Sequence, residues 1–223
     1  METQQFRNSS LDHFNPPKQI FVSGTDTDVG KTVISSLLTL GLGALYWKPV
    51  QSGLFPLTDT EYVRQVTRLD PSHFLPERFR LSQPLSPHAS AAIDGVNIKL
   101  ADFWIPSHSK PYLVVEGAGG LLVPLNRKDL MIDLIRYLEL PVCLVARSTL
   151  GTINHTLLSI AALRQANIPI WGVILNGPRN RSNREAIIHY GQVTVLGEVD
   201  MLNPVNPETL LEAFLKLTQS ESN

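Results

Sequence analysis

The sequence predicts an α/β fold with a mostly parallel central sheet and helices on both faces, on three observations. Short β-type apolar runs alternate with longer segments of helical spacing, the pattern of βα units. Several of these runs are apolar throughout rather than alternating, as expected when helices cover both faces of a sheet. A glycine-containing segment, Gly24 to Thr32, falls directly between the first strand-like run and the first helical one.

In order along the chain, strands are predicted at Gln19–Ser23, Leu45–Lys48, Tyr112–Glu116, Val142–Ala146, Ile170–Leu175 and Val193–Leu196, each a short run rich in aliphatic or aromatic residues. Helices are predicted at Lys31–Leu42, Thr60–Leu69, Met131–Leu138, Ile153–Ala166, Arg184–His189 and Pro207–Leu217. Asp129 and Asn206 stand just ahead of two of these as N-caps. Residues 70–105 belong to a stretch with six prolines from Pro56 to Pro106 and weak periodicity; irregular structure packed on the sheet is expected there. One domain is expected over residues 19–217, flanked by a loose N-terminal tail, 1–18, and a polar C-terminal tail, 218–223.

Composition narrows the function classes. Nineteen Lys and Arg against twenty Asp and Glu give a net charge of -1 with no long run of either sign, which argues against nucleic acid and acidic membranes as partners. The longest uncharged stretches, Thr32–Trp47 and Ser148–Leu163, are about 16 residues each, short of the ~20 needed to span a bilayer. Residues 1–18 scatter Glu2, Arg7, Asp12 and Lys18 and lack the apolar centre of a secretory signal. The single cysteine, Cys143, excludes an intrachain disulfide and falls inside a predicted strand; a cytoplasmic protein is expected.

Gly24 to Thr32 reads GTDTDVGKT and satisfies G-x-x-x-x-G-K-[ST] between a predicted strand and a predicted helix, the context this motif requires. Such a loop turns successive backbone N–H groups around phosphate oxygens, and the helix N-terminus adds the positive end of its dipole. Lys31 then reaches the β and γ phosphates and Thr32 offers its hydroxyl to Mg²⁺. The chain is therefore read as a P-loop NTPase-like protein, the motif alone leaving open whether the triphosphate serves transfer, ligation or switching.

Three further residues bear on that choice. Lys48, in YWKPVQSG, sits at the carboxyl end of the second predicted strand, where ligands of open α/β sheets bind; it is either a site cation or a solvated lysine at a strand end. Glu116, in VVEGAGG, ends a buried strand before a glycine-rich run and either holds Mg²⁺, as an acid after such a strand does, or is capped by backbone N–H groups. Asp59 is either a helix N-terminal acid or a metal ligand.

Taken together, GTDTDVGKT (24–32), WKPVQSG (47–53), Ser86-Pro87-His88, EGAGG (116–120), GTINH (151–155) and the strand Val173–Asn176 resemble, in order, the dethiobiotin synthetases, ATP-dependent carboxylases of biotin synthesis. The resemblance runs from about Ile20 to Leu196. It implies that CO₂ and 7,8-diaminononanoate form a carbamate, ATP phosphorylates it, and the second amine closes a ureido ring, giving dethiobiotin, ADP and phosphate.

The resemblance also implies roles. Lys31 and Lys48 are the catalytic cations beside the carbamate and the transferred phosphoryl group. Thr27, Asp28, Val29, Gly30, Lys31, Thr32 and Val33 hold ATP with Asp59 and Glu116, and Asn176 reads adenine. Thr32, Asp59 and Glu116 gather around Mg²⁺. Thr25, Lys48 and Ser52 approach the diamine or carbamate, and Gly151 and Asn154 receive the substrate carboxylate in a homodimer whose site is completed across the interface. Two cations and Mg²⁺ suit a reaction that concentrates negative charge, and positioning rather than covalent catalysis is asked of the protein. Asp28 stands where some relatives have Glu, and Arg179–Tyr190 offers only Tyr190 for the tyrosine that some relatives place on the carboxylate.

Two rivals share the nucleotide fold. A partition or septum-positioning switch would normally carry a further lysine at the start of the loop, where Thr25 follows Gly24, and an amphipathic membrane tail, whereas 207–217 contains Glu208, Glu212 and one cation, Lys216. An amidoligase related to the corrinoid-amidating enzymes would normally add a glutaminase domain with a nucleophilic cysteine. His88 is expected to make a structural hydrogen bond, and the histidines show no zinc-ligand spacing.

Overall fold

The computed structural model describes residues 14–219. Among these residues nine strands and seven helices follow in the order β1 (Gln19–Gly24), α1 (Lys31–Leu42), β2 (Leu45–Trp47), β3 (Val50–Ser52), α2 (Asp59–Thr67), β4 (Phe74–Leu75), β5 (Phe79–Leu81), α3 (Pro87–Ile93), β6 (Leu113–Gly120), α4 (Met131–Leu138), β7 (Val142–Arg147), α5 (Thr152–Gln165), β8 (Ile170–Asn176), α6 (Arg181–Gly191), β9 (Val195–Val199) and α7 (Pro207–Thr218). Seven strands form one sheet in the order β4-β2-β6-β1-β7-β8-β9, and every pairing in it is parallel. β3 and β5 form a separate parallel pair.

Because successive side chains of a strand point to opposite faces, the apolar runs feed two separate layers. Ile20, Val22, Tyr46, Val114, Cys143, Val145 and Ile174 pack with α1 and α7 through Ile34, Leu37, Leu38, Leu210 and Phe214. Phe21, Trp47, Leu113, Val115, Leu144 and Val173 pack with α4 and α5 through Leu134, Ile135, Ile160 and Leu163. This two-sided coverage is the expected α/β arrangement, and it places β1 at the centre of the sheet with the Gly24–Gly30 loop at its carboxyl edge.

Several expectations need correction. Glu116 does not end its strand: β6 continues to Gly120, because the glycines let β1 pass close, and a Cβ at Gly117 would lie 2.8 Å from the Phe21 ring. Residues 70–105 are more ordered than their prolines suggested, holding β4, β5, α3 and two short 3₁₀ turns, Pro71–His73 and Leu100–Asp102; Pro87 is tolerated at the first turn of α3. The N-cap of α4 is Leu130 rather than Asp129, and Asp133 reaches back to the Leu130 N–H at 2.8 Å. Asn206 caps α7 as expected, accepting from Thr209 N–H at 2.9 Å.

The expected N-terminal tail lies outside the described residues up to residue 13. From Phe14 the chain is packed: its ring is buried, edge-on to Trp171 at 4.9 Å and to Phe214 at 5.7 Å. At the other end Thr218 still belongs to α7 and is buried. No helix among the described residues is long and apolar enough to cross a membrane.

Candidate active site

The loop after β1 is held in left-handed backbone at Asp28 (φ 57°) and Gly30 (φ 92°). Glycine is required at the second position, since a Cβ on Gly30 would meet Asn176 Nδ2 at 2.0 Å. α1 begins at Lys31 with no acid in its first turn, leaving its positive end for an anion. The Lys31 ammonium donates to the Asp26 carbonyl at 3.0 Å. Burial, then the nearby Lys48, lowers its pKa despite Glu116, Asp59 and Asp28.

Beside the loop, the end of β2, the middle of β6 and the first turns of α1 and α2 bring four predicted residues together. Thr32 Oγ1 donates to Glu116 Oε1 at 2.8 Å and lies 3.5 Å from Asp59 Oδ1. Lys48 Nζ lies 2.6 Å from Asp59 Oδ2 and 3.0 Å from Glu116 Oε1, and donates to the Gly117 carbonyl at 3.0 Å. Lys48 is 3% exposed, so it is no solvated lysine. Burial pulls its pKa down, but the two carboxylates outweigh that and hold it above the ordinary lysine value. Asp59 is the first residue of α2 and its backbone N–H donates to Gln51 Oε1 at 3.1 Å; the helix itself is capped by Thr58 and Glu61 in a capping box.

These groups line a cleft of about 840 Å³ that also exposes Thr27, Asp28, Gly30, Val33 and Ser52. Thr25 lines a second cavity of about 380 Å³ with Asp26, Gly120 and His155, and Thr27 and Val123 border both. The Thr25 and Ser52 hydroxyls are buried without a hydrogen-bond partner among the described residues, a state that a ligand atom would relieve. Val29 is buried, and its carbonyl accepts from Asn176 Nδ2 at 3.0 Å; Asn176 thus braces the loop and lines neither cavity. Gly151 (φ 92°) and Asn154 are exposed at the start of α5 and line neither cavity. Tyr190 is exposed on α6 against His189, and His88 meets Ser86 Oγ at 2.9 Å, the local hydrogen bond expected of it.

Hard oxygen donors from Thr32, Asp59 and Glu116 suit Mg²⁺. Among the described residues no group of three or more His, Cys, Asp or Glu could hold a metal by itself. Two carboxylates and a hydroxyl fit an ion that also takes ligands from phosphate and water.

Sequence reasoning missed Tyr46, whose buried hydroxyl donates to Glu116 Oε2 at 3.0 Å, and Gln51, which positions Asp59. Both lie inside or beside the WKPVQSG stretch, which was the available signal. It also missed Arg147, whose guanidinium pairs with Asp26 Oδ2 at 2.5 Å; nothing in the order of residues links position 147 to position 26.

A phosphate loop at the centre of a parallel sheet, with a lysine just after β2, an acid within β6 and an acid at the start of α2 gathered beside it, defines a P-loop nucleotide-binding protein. A family profile described as an AAA domain matches residues 18–209. Proteins named ATP-dependent dethiobiotin synthetase BioD from Brucella melitensis biotype 2 and Brucella suis biovar 1 are 49% identical over 198 residues, 89% of this chain and 93% of theirs; that of Brucella abortus (strain 2308) is 48% identical over the same span. The chain belongs to the ATP-dependent dethiobiotin synthetase family. A ParA family ATPase from Chlorobium tepidum (TM-score 0.51, 14% identity, 93% of this chain and 95% of that one) and the septum site-determining protein MinD with Mg-ADP from Pyrococcus horikoshii (TM-score 0.52, 16% identity, 90% and 94%) share the fold. At that identity the likeness concerns the fold alone.

Proposed function

We propose that this protein makes dethiobiotin from 7,8-diaminononanoate, CO₂ and ATP. The observation that carries the reading is 49% identity to named dethiobiotin synthetases across nearly the whole of both chains. The site supports it chemically. One amine of the diamine takes up CO₂ and loses a proton, giving a carbamate. A carbamate oxygen attacks the γ-phosphorus, the bond to the β–γ bridging oxygen breaks, and ADP leaves. The second amine then attacks the carbamoyl carbon, loses its proton, and phosphate departs as the ring closes.

Each step builds negative charge beside Lys31 and Lys48, and cations fixed in place before the reaction stabilise it. The phosphate loop, Thr27 to Val33, holds the triphosphate through backbone N–H groups, with Asn176 at the base end. Thr32, Asp59 and Glu116 would hold Mg²⁺, which neutralises phosphate charge when bound. Lys48, held in the cleft by Asp59 and Glu116, supplies the second cation, while the Ser52 and Thr25 hydroxyls, without partners among the described residues, suit the diamine and its carbamate. Gly151 and Asn154 present the start of α5 to the substrate carboxylate. The reading includes a cytoplasmic location and a homodimer with the site completed between subunits; exposed Leu122 and Leu158 beside the 380 Å³ cavity support the latter.

The test is mass spectrometry of the purified protein with Mg-ATP, ¹³C-bicarbonate and 7,8-diaminononanoate. A labelled cyclic urea formed together with ADP is expected. ATP consumption without labelled product would point to a switch, and dependence on ammonia or glutamine to an amidoligase.

A further inference from the structure

The phosphate loop is anchored on β7 at two points that the reaction chemistry does not call for. Thr25 N–H donates to the Val145 carbonyl at 2.9 Å. One residue further, the Asp26 carboxylate takes Thr27 N–H on Oδ1 at 2.7 Å and the Arg147 guanidinium on Oδ2 at 2.5 Å. The carbonyl of the same Asp26 is the acceptor for Lys31 Nζ at 3.0 Å. Arg147 is itself fixed from behind: its own carbonyl accepts from Thr152 Oγ1 at 2.5 Å, at the first residue of α5. A single acidic residue therefore joins the end of β7 to the backbone that must cradle phosphate and to the lysine that must reach it.

We infer that Arg147 is a positioning residue for nucleotide binding, acting through Asp26 to hold the first half of the phosphate loop and Lys31 in register. The inference rests on the reading that this loop holds ATP. The pair is half exposed, 39% for the Arg147 side chain and 51% for that of Asp26, so its contribution to global stability is small. Its effect falls on loop geometry, where a shift of about 1 Å is enough to weaken a phosphate site. The Asp26 carboxyl is held below its usual range first by the Thr27 N–H and, against burial, by the Arg147 charge, so it stays an acceptor at neutral pH. A cation suits the position, since the contact is a single Nη2–Oδ2 pair in which the charge of the guanidinium carries the interaction.

The experiment measures Mg-ADP binding by calorimetry, with thermal melting alongside, for wild type, Arg147→Met, Arg147→Lys, Asp26→Asn and the Arg147→Met/Asp26→Asn double variant. Arg147→Met is expected to weaken binding about fivefold while Tm moves by no more than about 2 °C. Arg147→Lys should recover most of that loss, and the double variant should be no worse than Asp26→Asn alone. Wild-type affinity in Arg147→Met, or full additivity in the double variant, would overturn the inference and leave the ATP reading standing. A wild type that binds no nucleotide would overturn both.

Discussion

Lys48 Nζ bridges Asp59 Oδ2 at 2.6 Å and Glu116 Oε1 at 3.0 Å, so the cation proposed for catalysis is also the counter-charge that makes a buried carboxylate tolerable. Removing one partner of a buried pair leaves an uncompensated charge and costs about 3–5 kcal/mol, whereas removing both is far milder. Lys48→Met is therefore expected to fold with a lowered Tm and to lose at least about 100-fold in ureido formation. Lys48→Met/Glu116→Gln should regain much of the Tm while staying inactive. Near-normal turnover in the single variant would remove the assigned role, and a double variant less stable than the single would remove the counter-charge account.

Asp59 and Glu116 are proposed to hold Mg²⁺ with Thr32, and their contributions should separate in a metal titration. Asp59→Asn and Glu116→Gln each remove a negative charge from the oxygen set, and each should raise the Mg²⁺ concentration for half-maximal activity by about tenfold or more. Glu116→Gln should also lower Tm by leaving Lys48 with Asp59 alone. An unchanged Mg²⁺ titration in either variant would refute the metal role of that residue.

Tyr46 provides a test of positioning without a change of charge. Its hydroxyl is fully buried and donates to Glu116 Oε2, and burial, then the Glu116 charge, keeps it protonated well above the usual tyrosine range. Tyr46→Phe leaves that carboxylate oxygen short of a donor, a loss of about 1–3 kcal/mol in stability. Chemical denaturation should show this as a lower midpoint with an unchanged slope. A midpoint equal to that of wild type would mean that the Tyr46 hydroxyl does not support Glu116.

Much of this arrangement is legible in the residues because the signals are local. The loop motif, the all-apolar strands and the cap at Asn206 depend on neighbours a few positions apart, and so does the placing of Lys48 at a strand end. The length of β6 is not local: Gly117 to Gly120 look like a loop in isolation, yet Gly24 pairs with Gly120 across the sheet. The order within 70–105 comes from β3 pairing with β5 and β2 with β4, contacts that proline-rich composition hides. Tyr46 reads simply as a strand aromatic until its hydroxyl is seen to face Glu116 across two strands. Arg147 meets Asp26 only because the parallel order sets β7 beside β1.

The titration of Lys31 makes nucleotide binding depend on pH. Burial, then the nearby Lys48 charge, lowers it from the ordinary lysine value of 10.5, so in the free protein it loses its proton earlier on the alkaline side than an exposed lysine. A bound phosphate chain adds negative charge beside it and raises that pKa again. The complex then holds more protons than the free protein over the interval between the two values, so affinity must fall as pH rises through the free value. The stability sign is the reverse of that for a paired lysine: with the folded value depressed, charged Lys31 disfavours the fold below that value, and the penalty is relieved as pH rises through it. Mg-ADP calorimetry in buffers of different ionisation enthalpy should show proton uptake beginning below pH 10.5, together with weakening affinity, and Lys31→Met should abolish the uptake. Binding without proton uptake in that range would mean that Lys31 is not the cation the phosphates engage.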